Sequence, residues 1–185
     1  MLITKNYDRA RALMYAQQWA LSRNPLFLNF TGQGGDCTSF VSQCVLAGGC
    51  VMNFTPTYGW YYISADDRAA AWTGVPYFYN FLLTNTGPGP FGEESASGML
   101  EIGDVIQLGR ADGVYYHSLL VTGFTRRGYL VSAHSDDALN RPLATYTYDQ
   151  ARYLHINGIR EEVPDREDCF KALINGEAIV GVGEA

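Results

Sequence analysis

Cys37 follows Gly34, Gly35 and Asp36 and opens a run in which Phe40, Val41, Cys44 and Val45 fall on one helical stripe. A cysteine in the first turn of a helix sees the positive end of the helix dipole, which favours thiolate, and glycines just before it leave room for a substrate backbone. Both features suit a nucleophile. Asp36 would oppose ionisation if it turned toward the sulfur, so its expected place is the N-cap, facing the helix amides. Cys44 lies two turns deeper on the same azimuth, among apolar neighbours, and reads as an inert buried thiol. First-turn cysteines in general are more often buried than reactive, so the test is whether an imidazole joins Cys37.

Of the three histidines, His117 stands on a segment whose alternation sets Tyr115, His117, Leu119 and Val121 on one side, the side expected to face the helices. Thr125 to Gly128 reads as a four-residue hairpin loop that pairs Phe124 with Tyr129. Counting back from that pair puts Leu119 opposite His134 and His117 opposite Asp136. On this register His117 is a base with two alternative orienting groups, His134 and Asp136, on its own face. A slip of one residue would send both to the other face. His155 reads as structural or surface. The aromatic residues Trp60, Tyr61, Trp72 and Tyr115 could line a substrate groove, although any single ring is more often core. Asp66-Asp67 and Asp136-Asp137 lack the spacing of a calcium loop, so no metal site is expected.

These residues need a frame. Ala10, Leu13, Met14, Gln17 and Leu21 recur at helical spacing over about residues 7 to 21, with Asn6 as the expected N-cap, and Asn24-Pro25 ends the pattern. Asp36 to Ala47 predicts a buried second helix stopped by Gly48-Gly49. A short helix is expected near 74 to 84, and Gly87 to Gly92 reads as a loop. From Asp104 the period becomes that of strands: Asp104 to Leu108, Tyr115 to Phe124, Tyr129 to His134 and Tyr153 to Ile159. Close spacing makes their pairing antiparallel. Helices first and strands second predict an α+β domain over residues 1–160, with N-terminal helices packed on an antiparallel β-meander. Residues 161–185 read as an extension that either adds an edge strand or trails, with an apolar run at Ala178 to Val182.

Composition narrows the partners. The 185 residues are 47% hydrophobic, 17% charged and 14% aromatic, with a formal charge of -6, a globular and acidic chain without the basic face that nucleic acid or an anionic membrane requires. No apolar stretch approaches the roughly 20 residues of a membrane helix. Lys5, Asp8, Arg9 and Arg11 interrupt what would be a signal peptide's apolar core, so the chain as it stands is expected in the cytoplasm, with secretion or the cell envelope open if a leader precedes it. The four cysteines show no two-residue spacing for zinc or a redox dithiol and are too sparse for a disulfide framework, which leaves individual disulfides open.

The stretches Gly34 to Gln43, Gly103 to Gln107, His117 to Gly123 and His134 through Asn140-Arg141-Pro142-Leu143 resemble the putative amidase domain family, kin of the NlpC-type bacterial cell-wall peptidases of the papain-like clan. Tyr7-Asp8-Arg9, Arg23-Asn24-Pro25, Gly59 to Tyr62 and Ala71 to Val75 fit the same pattern, so the likeness runs in order over about residues 7 to 156. Ser39 departs from the Asn common there, and Tyr116 from an acidic residue. The resemblance implies a papain-like, NlpC-type fold and a cysteine hydrolase acting on an amide or peptide bond, with Cys37 as nucleophile, His117 as base and His134 as polar third member, Asp136 being the alternative. A Cys37 thiolate paired with imidazolium would attack, and water would resolve the thioester. The Cys37 amide would donate to the oxyanion, with the Gln33 side chain as a further candidate. No cofactor is implied, and the expected partner is a peptide or small amide substrate. Two alternatives stay open: acyl transfer through the same thioester, and a non-catalytic module binding a peptide or cell-wall fragment.

Overall fold

A computed structural model describes residues 1–162 and 167–179. Helix α1 (Arg9–Trp19) is capped by Asp8, whose carboxylate accepts from the Arg11 amide, rather than by Asn6. Helix α2 (Cys37–Gly49) is buried along its whole length, as its apolar stripe predicts. Its end differs from expectation. Cys50, in the left-handed conformation, is the C-cap, while Gly48 and Gly49 lie inside the helix, where a Cβ would meet the Tyr7 ring at 2.2 Å and Ile159 at 2.7 Å. Those glycines serve close approach rather than termination. Helices α3 (Ala70–Thr73) and α4 (Val75–Thr84) follow, the latter opened by Pro76 in its first turn.

All seven strands are antiparallel. Strands β3 (Val105–Gly109), β4 (Tyr115–Thr125), β5 (Gly128–Ala133) and β6 (Ala138–Pro142) form a meander in chain order. Strand β7 (Gln150–Glu161) returns beside β3. Because β2 (Gly89–Ser95) runs along residues 153–160 of β7, β3 and the N-terminal β1 (Ile3–Lys5) share its other edge in succession. The expected loop at Gly87 to Gly92 is thus partly strand: Gly92, whose Cβ would stand 2.2 Å from the His155 carbonyl, sits at a bulge that keeps β2 in pairing.

The fold class is mixed α+β. Val105, Leu120, Leu154 and Ile156 join α1, α2 and α4 in the main core. Ile106, Leu108, Leu119, Val121, Val131 and Ala133 point to the other face, where Leu100 and Leu143 help build a second, smaller core. No helix among the described residues is long and apolar enough to cross a membrane.

Past β7, where the sequence suggested an edge strand or a trailing end, the described residues form α5 (Phe170–Ile174). The Trp19 indole donates to the Ile174 carbonyl, and Cys169 is disulfide-bonded to Cys50. Residues 180–182 of the expected apolar run lie outside the described residues. A crosslink that closes a loop this long constrains the unfolded chain strongly. Cys169→Ser is therefore expected to lower the unfolding free energy in urea by about 2–4 kcal/mol under oxidising conditions; unchanged stability would mean that the packing of α5 alone holds this end.

Candidate functional site

Helix α2 delivers Cys37 to the start of β4. Thr38 and Ser118 share a hydroxyl hydrogen bond of 2.9 Å, and the Thr38 hydroxyl lies 3.8 Å from the Cys37 sulfur. Pairing of β4 with β5 begins only at Leu120–Ser132, so the first turn of α2 meets the part of β4 that β5 leaves uncovered. Cys37 is thereby set against the segment of β4 that carries His117, through Thr38 and Ser118. No hydrogen bond joins Cys37 to His117 among the described residues.

The carboxylate of Asp36 turns away from both sulfur and helix. It makes no side-chain cap; one oxygen accepts from the Phe30 amide at 3.0 Å and the other faces His134 Nδ1 at 2.7 Å and Arg23 Nε at 3.2 Å. The Asp36 amide donates to Ser135 Oγ. Asp36 is thus neutralised where it stands, and the expected N-cap is corrected to a buried ion-pair anchor.

The register at His134 is corrected too. Phe124 does pair with Tyr129, but Thr125 also pairs with Gly128, which tightens the loop, and a bulge between Val121 and Gly123 shifts everything beyond it by one residue. His134 consequently shares the helix-side face with Ser132, stacks on Phe40 at 4.2 Å, and bonds Asp36 through Nδ1 and the Trp19 carbonyl through Nε2. It does not touch His117. A glycine inside a strand signals such a bulge, and Gly123, where a Cβ would stand 3.2 Å from Leu130, was that signal.

His117 pairs with Leu108 and lies on the side of the second core, not on the helix side. A second bulge, at Tyr116, swings Tyr115 to the opposite face, across from Gly109. Around His117 stand Tyr146, ring to ring at 6.0 Å, and the Asp136–Arg141 pair, 3.3 Å apart. Burial pulls the imidazole down to about 4; the Asp136 charge pushes upward and Arg141 opposes it. Ser135 and Asp136 both adopt positive φ, an uncommon conformation for such residues that presents Asp136 on this side. Burial likewise raises the Cys37 thiol, against the Ser118 and Thr38 hydrogen bonds. Burial thus favours the uncharged form of each group, thiol at Cys37 and neutral imidazole at His117.

Other expected site residues scatter. Trp60 and Trp72 are fully buried and packed on each other at 4.9 Å, with the Trp60 indole donating to Ser42; they are core, not groove. Tyr61 packs on Phe54. Tyr115 stacks on Arg152. Gln33 is exposed in the loop ahead of α2. Glu101, Asp104 and His155 bring ligand atoms within 4.8 Å of one another. Asp104, however, already accepts from Arg9, His155 and the amides of Glu101 and Ile156. With a guanidinium in place, the set has the chemistry of a buried ion-pair network rather than a cation site.

The family model described as a putative amidase domain matches residues 6–157. The chain is similar to two proteins of Bacillus subtilis (strain 168): uncharacterized protein YhbB, 31% identical over 140 residues that cover 73% of this chain and 43% of that protein, and uncharacterized protein YjcM, 27% identical over 164 residues that cover 84% and 37%. The chain spans less than half the length of either relative. No solved structure gives a significant match.

The different settings of His134 and Asp136 separate in stability. His134→Ala removes a buried hydrogen-bond partner of Asp36 and of the Trp19 carbonyl, although Arg23 still faces the carboxylate, and is expected to cost about 2–3 kcal/mol in urea unfolding, while Asp136→Asn, at an exposed site, should change stability by less than about 1 kcal/mol. The opposite ranking would return His134 to the neighbourhood of His117.

Proposed function

Because the chain belongs to the putative amidase domain family, we propose that it is a cysteine hydrolase of papain-like, NlpC-type topology that cleaves an amide or peptide bond, a cell-wall peptide being the leading substrate class. The observation that carries this reading is the first turn of α2 seated on the start of β4, where Thr38, whose hydroxyl lies 3.8 Å from the Cys37 sulfur, bonds Ser118, the residue after His117. Family membership supports amide hydrolysis at the coarser level.

The mechanism starts from a neutral pair. As the Cys37 sulfur bonds to the substrate carbonyl carbon, its proton passes to His117, which is held unprotonated by burial and is free to accept. The imidazolium so formed is stabilised by Asp136, the third member on this reading, while His134 acts at one remove by holding Asp36 and the start of α2. His117 then gives the proton to the leaving amine as the carbon–nitrogen bond breaks. Water, deprotonated by the same ring, attacks the thioester, and the thiol leaves with the proton restored. The backbone amide of Cys37 is the first oxyanion donor, with the exposed Gln33 side chain free to approach from the preceding loop.

Burial of Trp60 and Trp72 takes away the groove on which the binding-module alternative rested. Acyl transfer differs only in what resolves the thioester. The Cys50–Cys169 bond favours the cell envelope or exterior over the cytoplasm as the place of action.

Incubation with muropeptides from digested bacterial sacculi, followed by acid quench and mass spectrometry, is expected to show new amino termini and an acyl adduct on Cys37, both lost in Cys37→Ala and His117→Ala. Absence of any Cys37-dependent cleavage across cell-wall and general peptide mixtures would overturn the reading. Where a substrate is cleaved, the base must be unprotonated, so kcat/KM should fall as pH drops through about 4 rather than near the ordinary value of about 6.5.

A further inference from the structure

Three strands lie side by side at the sheet end that holds the site, and their register aligns Arg152 of β7 with Gln107 of β3 and Ser118 of β4. On the helix-facing side this row is a continuous polar chain, buried at Gln107 and Ser118 and half-buried at Arg152. Arg152 Nε donates to Gln107 Oε1 at 2.8 Å, Gln107 Nε2 donates to Ser118 Oγ at 3.1 Å and to the Val75 carbonyl at 2.9 Å, and Ser118 shares a hydroxyl hydrogen bond with Thr38, the neighbour of Cys37. The row ends in a cation with an unmet need. Arg9, Arg11, Arg23 and Arg141 each face a carboxylate. Arg152 makes no ion pair among the described residues, and its Nη2 is buried without a hydrogen-bond partner. Its plane is held between the rings of Tyr79 at 3.5 Å and Tyr115 at 3.9 Å. Tyr115 lies over Gly109, where a Cβ would come within 3.0 Å of the ring, so the bare β3 backbone there gives the ring its place. Glu94, the nearby carboxylate, is exposed and takes the Tyr79 hydroxyl at 2.7 Å instead.

A guanidinium fixed by two rings and one hydrogen bond, with its terminal edge unpaired, is preorganised for a planar anion, and burying it unpaired is costly unless an anion arrives. The geometry points to Arg152 as a substrate-carboxylate subsite of the Cys37 centre, so that the preferred substrate is a peptide or amide carrying a carboxylate beyond the scissile bond. Two inter-strand steps of about 4.8 Å separate Arg152 from Ser118, about 10 Å in all, which an extended peptide spans in about three residues. A terminal carboxylate and an acidic side chain offer the same chemistry. This inference rests on the hydrolase reading for its place in catalysis, but not for anion binding itself.

The test uses chloroacetyl-triglycine as the free acid, as the carboxamide, and extended as a carboxamide with glutamate in third position, with Cys37 alkylation followed by peptide mass mapping. One of the two acidic probes is expected to label Cys37 about tenfold faster than the neutral probe, and which one does so identifies the source of the carboxylate. That ratio should fall to near one in Arg152→Met, which keeps the stem between the rings, and persist in part in Arg152→Lys. Equal rates for all three probes, or an acid preference that survives Arg152→Met, overturns the inference. Should no probe label Cys37, the hydrolase reading fails and the subsite is decided on the wild-type chain alone: the Arg152 Nε–H resonance should shift saturably with acetate and stay put with acetamide, and no shift with acetate overturns the subsite as well.

Discussion

The buried carboxylate of Asp36 is the fixed point of this molecule. It joins the Phe30 amide, the His134 ring and the Arg23 guanidinium at the residue before Cys37, and its own amide is tied to Ser135. Through it the loop ahead of α2, the end of α1 and the turn after β5 converge on the first turn of one helix. A nucleophile must be held to within a fraction of an ångström to be useful, and a salt-linked, hydrogen-bonded carboxylate does this better than a helix cap alone. The ion pair also keeps a negative charge beside the thiol from acting on it, which removes the objection that an aspartate there would suppress the chemistry.

Much of this was legible in the sequence. The helical stripe of residues 40 to 45, the change to strand period after Asp104 and the hairpin that pairs Phe124 with Tyr129 all stand. What failed was parity. Because side chains alternate at every residue, His117 proved to face the second core rather than the helices, the bulge at Val121–Gly123 parted His134 from its face, and the bulge at Tyr116 parted Tyr115 from it. Periodicity finds strands but counts badly through irregular backbone. Gly123 was a warning, whereas Tyr116 carries no comparable mark. Arg152, Gln107 and Ser118 were missed for another reason: they belong to three strands and meet only through register, so no local spacing announces them.

The electrostatics of the pair also runs against a simple reading of motif. The helix dipole favours thiolate at Cys37, yet desolvation of the sulfur and of His117 favours the neutral forms of both. Burial wins over the dipole here because both groups lose water while the only nearby opposite charge for His117, Asp136, is exposed and shared with Arg141. On the proposed mechanism charge would then be created during the reaction rather than stored before it, and an arriving substrate that changes the solvation of the site would shift this balance.

Strand β7 has a consequence for how the chain reaches this state. It bridges β1, β2 and β3, and Ile3 pairs with Glu161, so residues through 161 must leave the ribosome before the sheet can close. Until then β3 lacks its second neighbour and the main core lacks Leu154, Ile156 and Ile159. Such non-local closure is slow and leaves intermediates prone to association, so vectorial synthesis gives this domain little head start, and its yield in a cell should depend on what shields the nascent chain before residue 161 emerges.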